Sequence, residues 1–152
     1  MVPKGLQTDK YKLRMLKVTD VVKDYDAVMT SADQLQGIFG PRFKWPAKDL
    51  SLEQDLIDLG WHQKEFQMRS SFAYTVMSLD ESRCLGCVYI FPSRKEGFDA
   101  EVYMWLRKSE LDKGLDPLFY KKIKKWIAEN WPFKKVAYPG REIDWSKWSS
   151  LK

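Results

Sequence analysis

The residues that could do chemistry fall in a few places. One is WLRKSELDKGLDPLF, Trp105 to Phe119, where a strand end turns through a loop holding a single glycine, Gly114, into a helix. Unpaired backbone N–H groups and the helix dipole put partial positive charge at a helix start, and glycine lets the chain approach a phosphate closely. The stretch also fits an ordinary capped turn, because Asp116-Pro117 reads as an N-cap followed by proline at the first helical position. Beside a diphosphate the Asp116 carboxylate would act by repulsion, which Arg107, Lys108 and Lys113 could offset. A second place is the strand candidate Phe98 to Leu106, on which Glu101, Tyr103 and Trp105 share a face. A carboxylate with two aromatics on one sheet face is half of a cleft or an exposed rim.

Cys84 and Cys87 form C-x-x-C, but inside CLGCVYIF, which reads as a strand rather than a helix start. Residues three apart point to opposite strand faces, so a disulfide is not expected. Zinc needs about four ligands, and His62 is the only histidine in the chain. No metal site is expected, and the cysteines read as buried and structural. His62 lies beside the apolar stripe of a helix, as a surface or boundary residue rather than a base.

These residues need elements to position them. Tyr11 to Val18 reads as a strand. Thr19 and Asp20 offer N-caps to a helix carrying Tyr25, Val28, Met29, Ala32 and Leu35. Gln36 to Asp49 is a Gly/Pro-punctuated loop. Ser51 with Gln54 forms a capping box for a helix with Leu52, Leu56, Leu59 and Phe66 at helical spacing. Three strands follow, Phe72 to Leu79, Cys84 to Phe91 and Phe98 to Leu106, with loops short enough for an antiparallel meander. A helix from about Pro117 to Asn130 presents Leu115, Phe119, Ile123, Trp126 and Ile127 on one stripe, and Phe133 to Tyr138 is a last strand, joined by a right-handed parallel crossover. The order β-α-α-β-β-β-α-β gives an α/β (α+β) fold: a mixed, mostly antiparallel sheet flanked by helices.

The chain of 152 residues fits one domain, 1–152, with one core. Aromatics make up 14% of it, enough for aromatic packing or an aromatic-lined cleft. No apolar run approaches the roughly 20 residues that cross a bilayer. The N-terminus lacks an apolar signal core, so a cytoplasmic location and no membrane partner are expected. The net charge of +5 permits anionic partners. Its densest point, KKIKK at Lys121 to Lys125, lies in a helix whose aromatics point inward, so it reads as a solvated face and argues against nucleic-acid binding.

The order and lengths of elements over roughly residues 11 to 140 resemble the GCN5-related N-acetyltransferase (GNAT) superfamily. RCLGCVYIF resembles the family's central strand, AEVYMWLRKSEL its next strand, and LDKGLD its acetyl-CoA pyrophosphate loop. Leu111 and Asp116 depart from that loop's pattern, where the family has Gln/Arg and a second Gly/Ala. The resemblance implies acetyl-CoA as cofactor, held by Met104, Trp105, Leu106, Arg107, Lys108, Leu111, Asp112, Lys113, Gly114, Leu115 and Asp116. A backbone N–H of Met104 to Leu106 would meet the thioester carbonyl. It implies transfer of acetyl to an amine of a small molecule or peptide, with Glu101 as base and Tyr138 as a substitute general acid. Phe39, Phe43, Trp45 and Tyr103 would line the acceptor site, where Arg42 could hold a carboxylate. About a dozen residues follow Tyr138, too few for the family's usual final helix and strands, so the C-terminal part looks truncated. A homodimer could supply the missing wall. The alternative is an inactive protein of the same fold, binding CoA or another protein.

Overall fold

The computed structural model describes residues 1–152. Its centre is a six-stranded sheet in sequential order. The strands are β1 (Gly5–Gln7), β2 (Tyr11–Met15), β3 (Phe72–Ser78), β4 (Cys84–Pro92), β5 (Ala100–Leu106) and β6 (Val136–Ala137). Neighbours are antiparallel up to β5, and β6 is parallel to β5. This is the expected mixed sheet. The β1 hairpin at its edge was not among the expected elements.

After β2 comes a short 3-10 turn, Val18–Asp20, then α1 (Val21–Met29) and α2 (Ala32–Leu35). Asp20 does not cap α1 with its side chain. Its carboxylate accepts the Lys17 N–H at 2.9 Å and the Arg14 guanidinium at 2.8 and 2.9 Å, closing the 3-10 turn instead. The single helix expected through Leu35 breaks at Thr30 and Ser31. There the buried Ser31 hydroxyl accepts the Lys108 N–H at 2.8 Å, which ties this corner to the end of β5.

Helix α3 (Leu52–Gln67) starts as expected, the Gln54 N–H donating to Ser51 Oγ at 3.0 Å. Its buried stripe differs from the expected one. Leu52 and Leu56 are 45% and 41% exposed, and the inner line runs through Asp55, Leu59, His62 and Phe66. The period is helical, but a carboxylate and an imidazole occupy two of its positions.

The sheet separates two apolar clusters. One lies under α5 (Asp116–Asn130) and takes Phe119, Ile123, Trp126 and Ile127 from it, together with Val88, Ile90, Val102 and Met104 from the sheet. The lysines of KKIKK stay exposed around buried Ile123. The other cluster lies under α1 to α3 and holds Cys84, Cys87, Tyr89, Tyr103 and Trp105. Cys84 and Cys87 therefore share a face. The register shifts opposite Val76 and Met77, where Met77 pairs with Cys84 and Val76 with Gly86, so Leu85 is the extra residue of a bulge. Both thiols are free and buried.

The tail forms α6 (Trp145–Ser150), which packs back across the sheet through Trp145 and buried Trp148. No helix is long and apolar enough to cross a membrane.

Candidate active site

β5 and β6 pair only at Ala100 with Val136 and Glu101 with Ala137. Beyond that point they part, leaving a cleft of about 350 Å³ floored by Val102, Tyr103 and Met104 and walled by Gly140, Arg141 and Trp145. Antiparallel strands turn alternate residues' backbone groups toward each neighbour. The Arg107 N–H donates to Leu85 on the β4 side, so Met104, three residues back, turns its peptide toward the cleft. The Arg141 guanidinium confirms the direction by donating to the Met104 carbonyl at 3.3 Å.

The start of α5 closes one end of this cleft. Asp116 is the first helical residue, with Leu115 at the N-cap position, so the expected Asp116 cap is not formed. Its carboxylate accepts two bonds from Arg141 at 2.8 and 3.0 Å. The reason is geometric. A turn of helix, α4 (Lys108–Leu111), fills the loop ahead of α5 and turns the chain through Gly114 at φ +73°. The N–H groups of Asp112, Lys113, Gly114 and Leu115 donate to carbonyls within that turn. Those of Asp116 and Leu118 have no backbone partner. The loop cations are engaged as well: Lys108 with Asp112 at 2.7 Å and Lys113 with Glu110 at 3.4 Å. Arg107 faces the other way, donating to Asp26 at 3.0 Å and to the Cys84 carbonyl at 3.0 Å. Leu111 and Leu115 pack on the α5 cluster. The cation facing the start of α5 is thus Arg141, which the sequence reading did not single out.

A second cavity, about 650 Å³, lies between the sheet and α3 and shares Tyr103 with the cleft. Glu101 and Tyr103 form part of its wall, so the shared face is half of a cleft, not a rim. The buried Glu101 carboxylate accepts from the Tyr103 hydroxyl at 2.9 Å, the Arg94 N–H at 3.1 Å and Ser93 Oγ at 3.3 Å. These donors fix its orientation. Burial raises the Tyr103 hydroxyl well above its usual range, so it stays a donor.

Phe39, Phe43 and Trp45 come from the loop between α2 and α3 and line this cavity as expected. Phe39 packs edge-on against Tyr89, with centroids 5.0 Å apart, and lies 5.4 Å from Tyr103. Trp45 lies 6.2 Å from Trp105, whose indole N–H donates to the Tyr89 hydroxyl at 3.0 Å. Arg42 is exposed and outside the lining. Tyr138 is not brought to Glu101. It is buried in the α5 cluster on the opposite face, its ring 5.5 Å from Tyr120. The Trp145 indole, which lines the cleft, stacks parallel to Tyr103 at 6.3 Å.

Asp24, Asp55 and His62 also line the aromatic cavity. His62 sits 5.4 Å from Tyr89, and burial pushes its imidazolium down, so the ring is neutral near pH 7. Burial and the neighbouring Asp55 carboxylate push the Asp24 carboxyl well up. One oxygen of Asp55 has no partner. The helical period of α3 placed Asp55 in line with Leu59 and Phe66, a signal that reading only apolar residues passes over.

No protein-family model matches the chain, and no curated protein sequence matches it. Solved structures do. A GnaT-family acetyltransferase from Bordetella pertussis aligns with 88% of this chain and 77% of its own, at 14% identity and a TM-score of 0.64. The ribosomal-protein-S5-alanine acetyltransferase from Vibrio fischeri aligns over 82% and 67%, at 17% identity and a TM-score of 0.61. A ribosomal L7/L12 alpha-N-protein acetyltransferase in complex with coenzyme A aligns over 84% and 67%, at 17% identity and a TM-score of 0.61. The fold of this chain is the GNAT acetyltransferase fold.

Proposed function

We propose that residues 1–152 form one acyltransferase domain that moves an acetyl group from acetyl-CoA to an amine. The observation that carries this reading is the parting of β5 from β6, which turns the Met104 peptide into a cleft beside the oriented Glu101 carboxylate. A relative in fold holds coenzyme A.

The residues present fit the cofactor in two respects. A strand edge without a partner along Val102 to Met104 can hydrogen-bond a pantetheine amide, and Arg141 with the free N–H groups of α5 can meet a diphosphate. Acetyl-CoA, when bound, supplies an acetyl thioester whose carbonyl carbon accepts the amine. The Met104 N–H would donate to that carbonyl oxygen as charge builds on it. The acceptor enters from the aromatic cavity, with Tyr103 between the two spaces. Glu101 takes a proton from the ammonium, directly or through water, which frees the nitrogen lone pair. With acetyl-CoA bound, C–N bond formation with C–S cleavage would release the CoA thiol, and one net proton would pass through Glu101 to water. Trp145 and Tyr103 together keep bulk water off the cleft.

The test has two parts. Millimolar acetyl-CoA raises the thermal midpoint, and an amine panel releases free thiol. Glu101→Gln keeps the cofactor-induced shift while turnover drops by about a hundredfold or more. No shift at millimolar acetyl-CoA refutes the reading, and a Gln variant that loses the shift refutes the base assignment.

A specific observation favours a second reading, a CoA-binding or protein-interaction module without turnover. The loop N–H groups are already satisfied, and Arg141 is locked on Asp116. Cofactor binding with no thiol release for any amine would select it.

A further inference from the structure

The aromatic cavity has a charge opposite to that of the chain. Asp24, Asp55, Asp58, Glu65 and Glu101 all line it, while the protein carries a net +5. None of these five carboxylates has a salt-bridge partner, whereas Asp20, Asp26, Glu81, Glu110, Asp116 and Glu142 elsewhere each hold a lysine or arginine. The cavity's arginine, Arg94, lends its backbone N–H to Glu101. His62 adds no charge near pH 7.

Asp55 is the sharpest case. It is 2% exposed, it lines the cavity, and its Oδ2 has no hydrogen-bond partner. A buried acceptor without a donor is costly, and a buried charge more so. Folding alone therefore does not explain an aspartate on the apolar stripe of α3. Asp24, 4% exposed, meets it from α1. No group of the carboxylates gathers closely enough to hold a metal ion. Phe39, Trp45 and Tyr89 also line the cavity, and aromatic rings attract organic cations.

We infer that the acceptor is a short aliphatic diamine or polyamine, with one nitrogen presented to Glu101 and a second, remaining charged, held by the Asp24–Asp55 pair inside the aromatic wall. This rests on the acetyltransferase reading for the reaction, but the binding part stands without it. Only the nitrogen at Glu101 loses a proton and gains the acetyl group. The distal ammonium donates to Asp55 Oδ2, completing the acceptor that folding leaves open. An uncharged alkyl chain of the same length would leave that oxygen unpaired, which makes the discrimination steep.

The experiment uses the full chain with putrescine, cadaverine and butylamine as probes. Calorimetry without cofactor reads binding, and thiol release with acetyl-CoA reads transfer. The expected result is that the diamines bind at least about tenfold more tightly than butylamine, and that Asp55→Asn brings the ratio close to one. Asp24→Asn serves as the second variant, with far-UV circular dichroism reporting that both are folded. Diamine and monoamine bound alike, or a preference that survives both substitutions, overturns the inference even if acetyl transfer is robust. Selective diamine binding with no thiol release sustains the inference and overturns the acetyltransferase reading instead. No binding of any amine overturns the inference.

Discussion

Gly140 is the hinge on which the cleft wall rests, and replacing it with alanine tests the wall. A Cβ built there lies 2.7 Å from Trp145 Cε2 and Nε1 and 2.8 Å from Cζ2. Ordinary carbon contacts begin near 3.5 Å, so the indole must retreat by roughly 1 Å from its stack on Tyr103. The backbone contributes separately. Gly140 has φ +81°, and a side chain in that region costs about 1–2 kcal/mol. Losing the parallel Tyr103–Trp145 contact adds about 0.5–1.5 kcal/mol. Gly140→Ala should therefore destabilise the fold by about 1.5–3.5 kcal/mol, measured by urea unfolding followed by far-UV circular dichroism. A double-mutant cycle separates the parts. On a Trp145→Ala background the alanine meets no indole and should cost only the backbone share, about 1–2 kcal/mol. The same cost on both backgrounds would refute the argument that Trp145 is what the methyl group strikes.

Two further outcomes follow from charged groups. Burial and Asp55 hold the Asp24 carboxyl well above its usual range. The folded state then keeps a proton that the unfolded chain releases, so the contribution is fully present below the ordinary carboxylate range and is lost as pH rises through the raised value. Asp24→Asn removes the titrating group and with it that loss. The variant's advantage in Tm should grow as pH rises above the ordinary carboxylate value of about 4, and a constant difference in thermal scans contradicts the assignment. At the start of α5, Asp116→Ala removes a carboxylate and frees Arg141. Two unit charges about 4 Å apart in water interact by about 1 kcal/mol. Coenzyme A should bind about fivefold more tightly by calorimetry, and unchanged or weaker binding places the diphosphate elsewhere.

The strands and α5 were legible because their signal is periodic. Glu101, Tyr103 and Trp105 alternate along β5, and Phe119, Ile123, Trp126 and Ile127 keep helical spacing, so both faces could be assigned from the residues. The cleft was half legible: its position follows from the order of elements, but its occupant does not. Asp116 and Arg141 are separated by 25 positions, and no local pattern announces a bidentate pair across that distance. Asp55 escaped notice for a different reason. A carboxylate on a helix normally marks the solvated side, so in the sequence the inner line of α3 looks polar while Leu52 and Leu56 look like its buried stripe. The bulge at Leu85 left no trace, because one extra residue changes register without changing composition.

That bulge gives the molecule a built-in clock. By turning Cys84 and Cys87 to one side, it seats both thiols under the first helices, and burial pushes the Cys84 thiol up to about 12. Thiolate is the reactive form, so a sulfhydryl reagent finds almost nothing to attack in the closed protein. Each modification event requires the helical layer to lift from β4. The labelling rate then counts those openings, and its slowing upon addition of an amine would weigh how firmly a ligand in the cavity fastens α1 and α3 to the sheet.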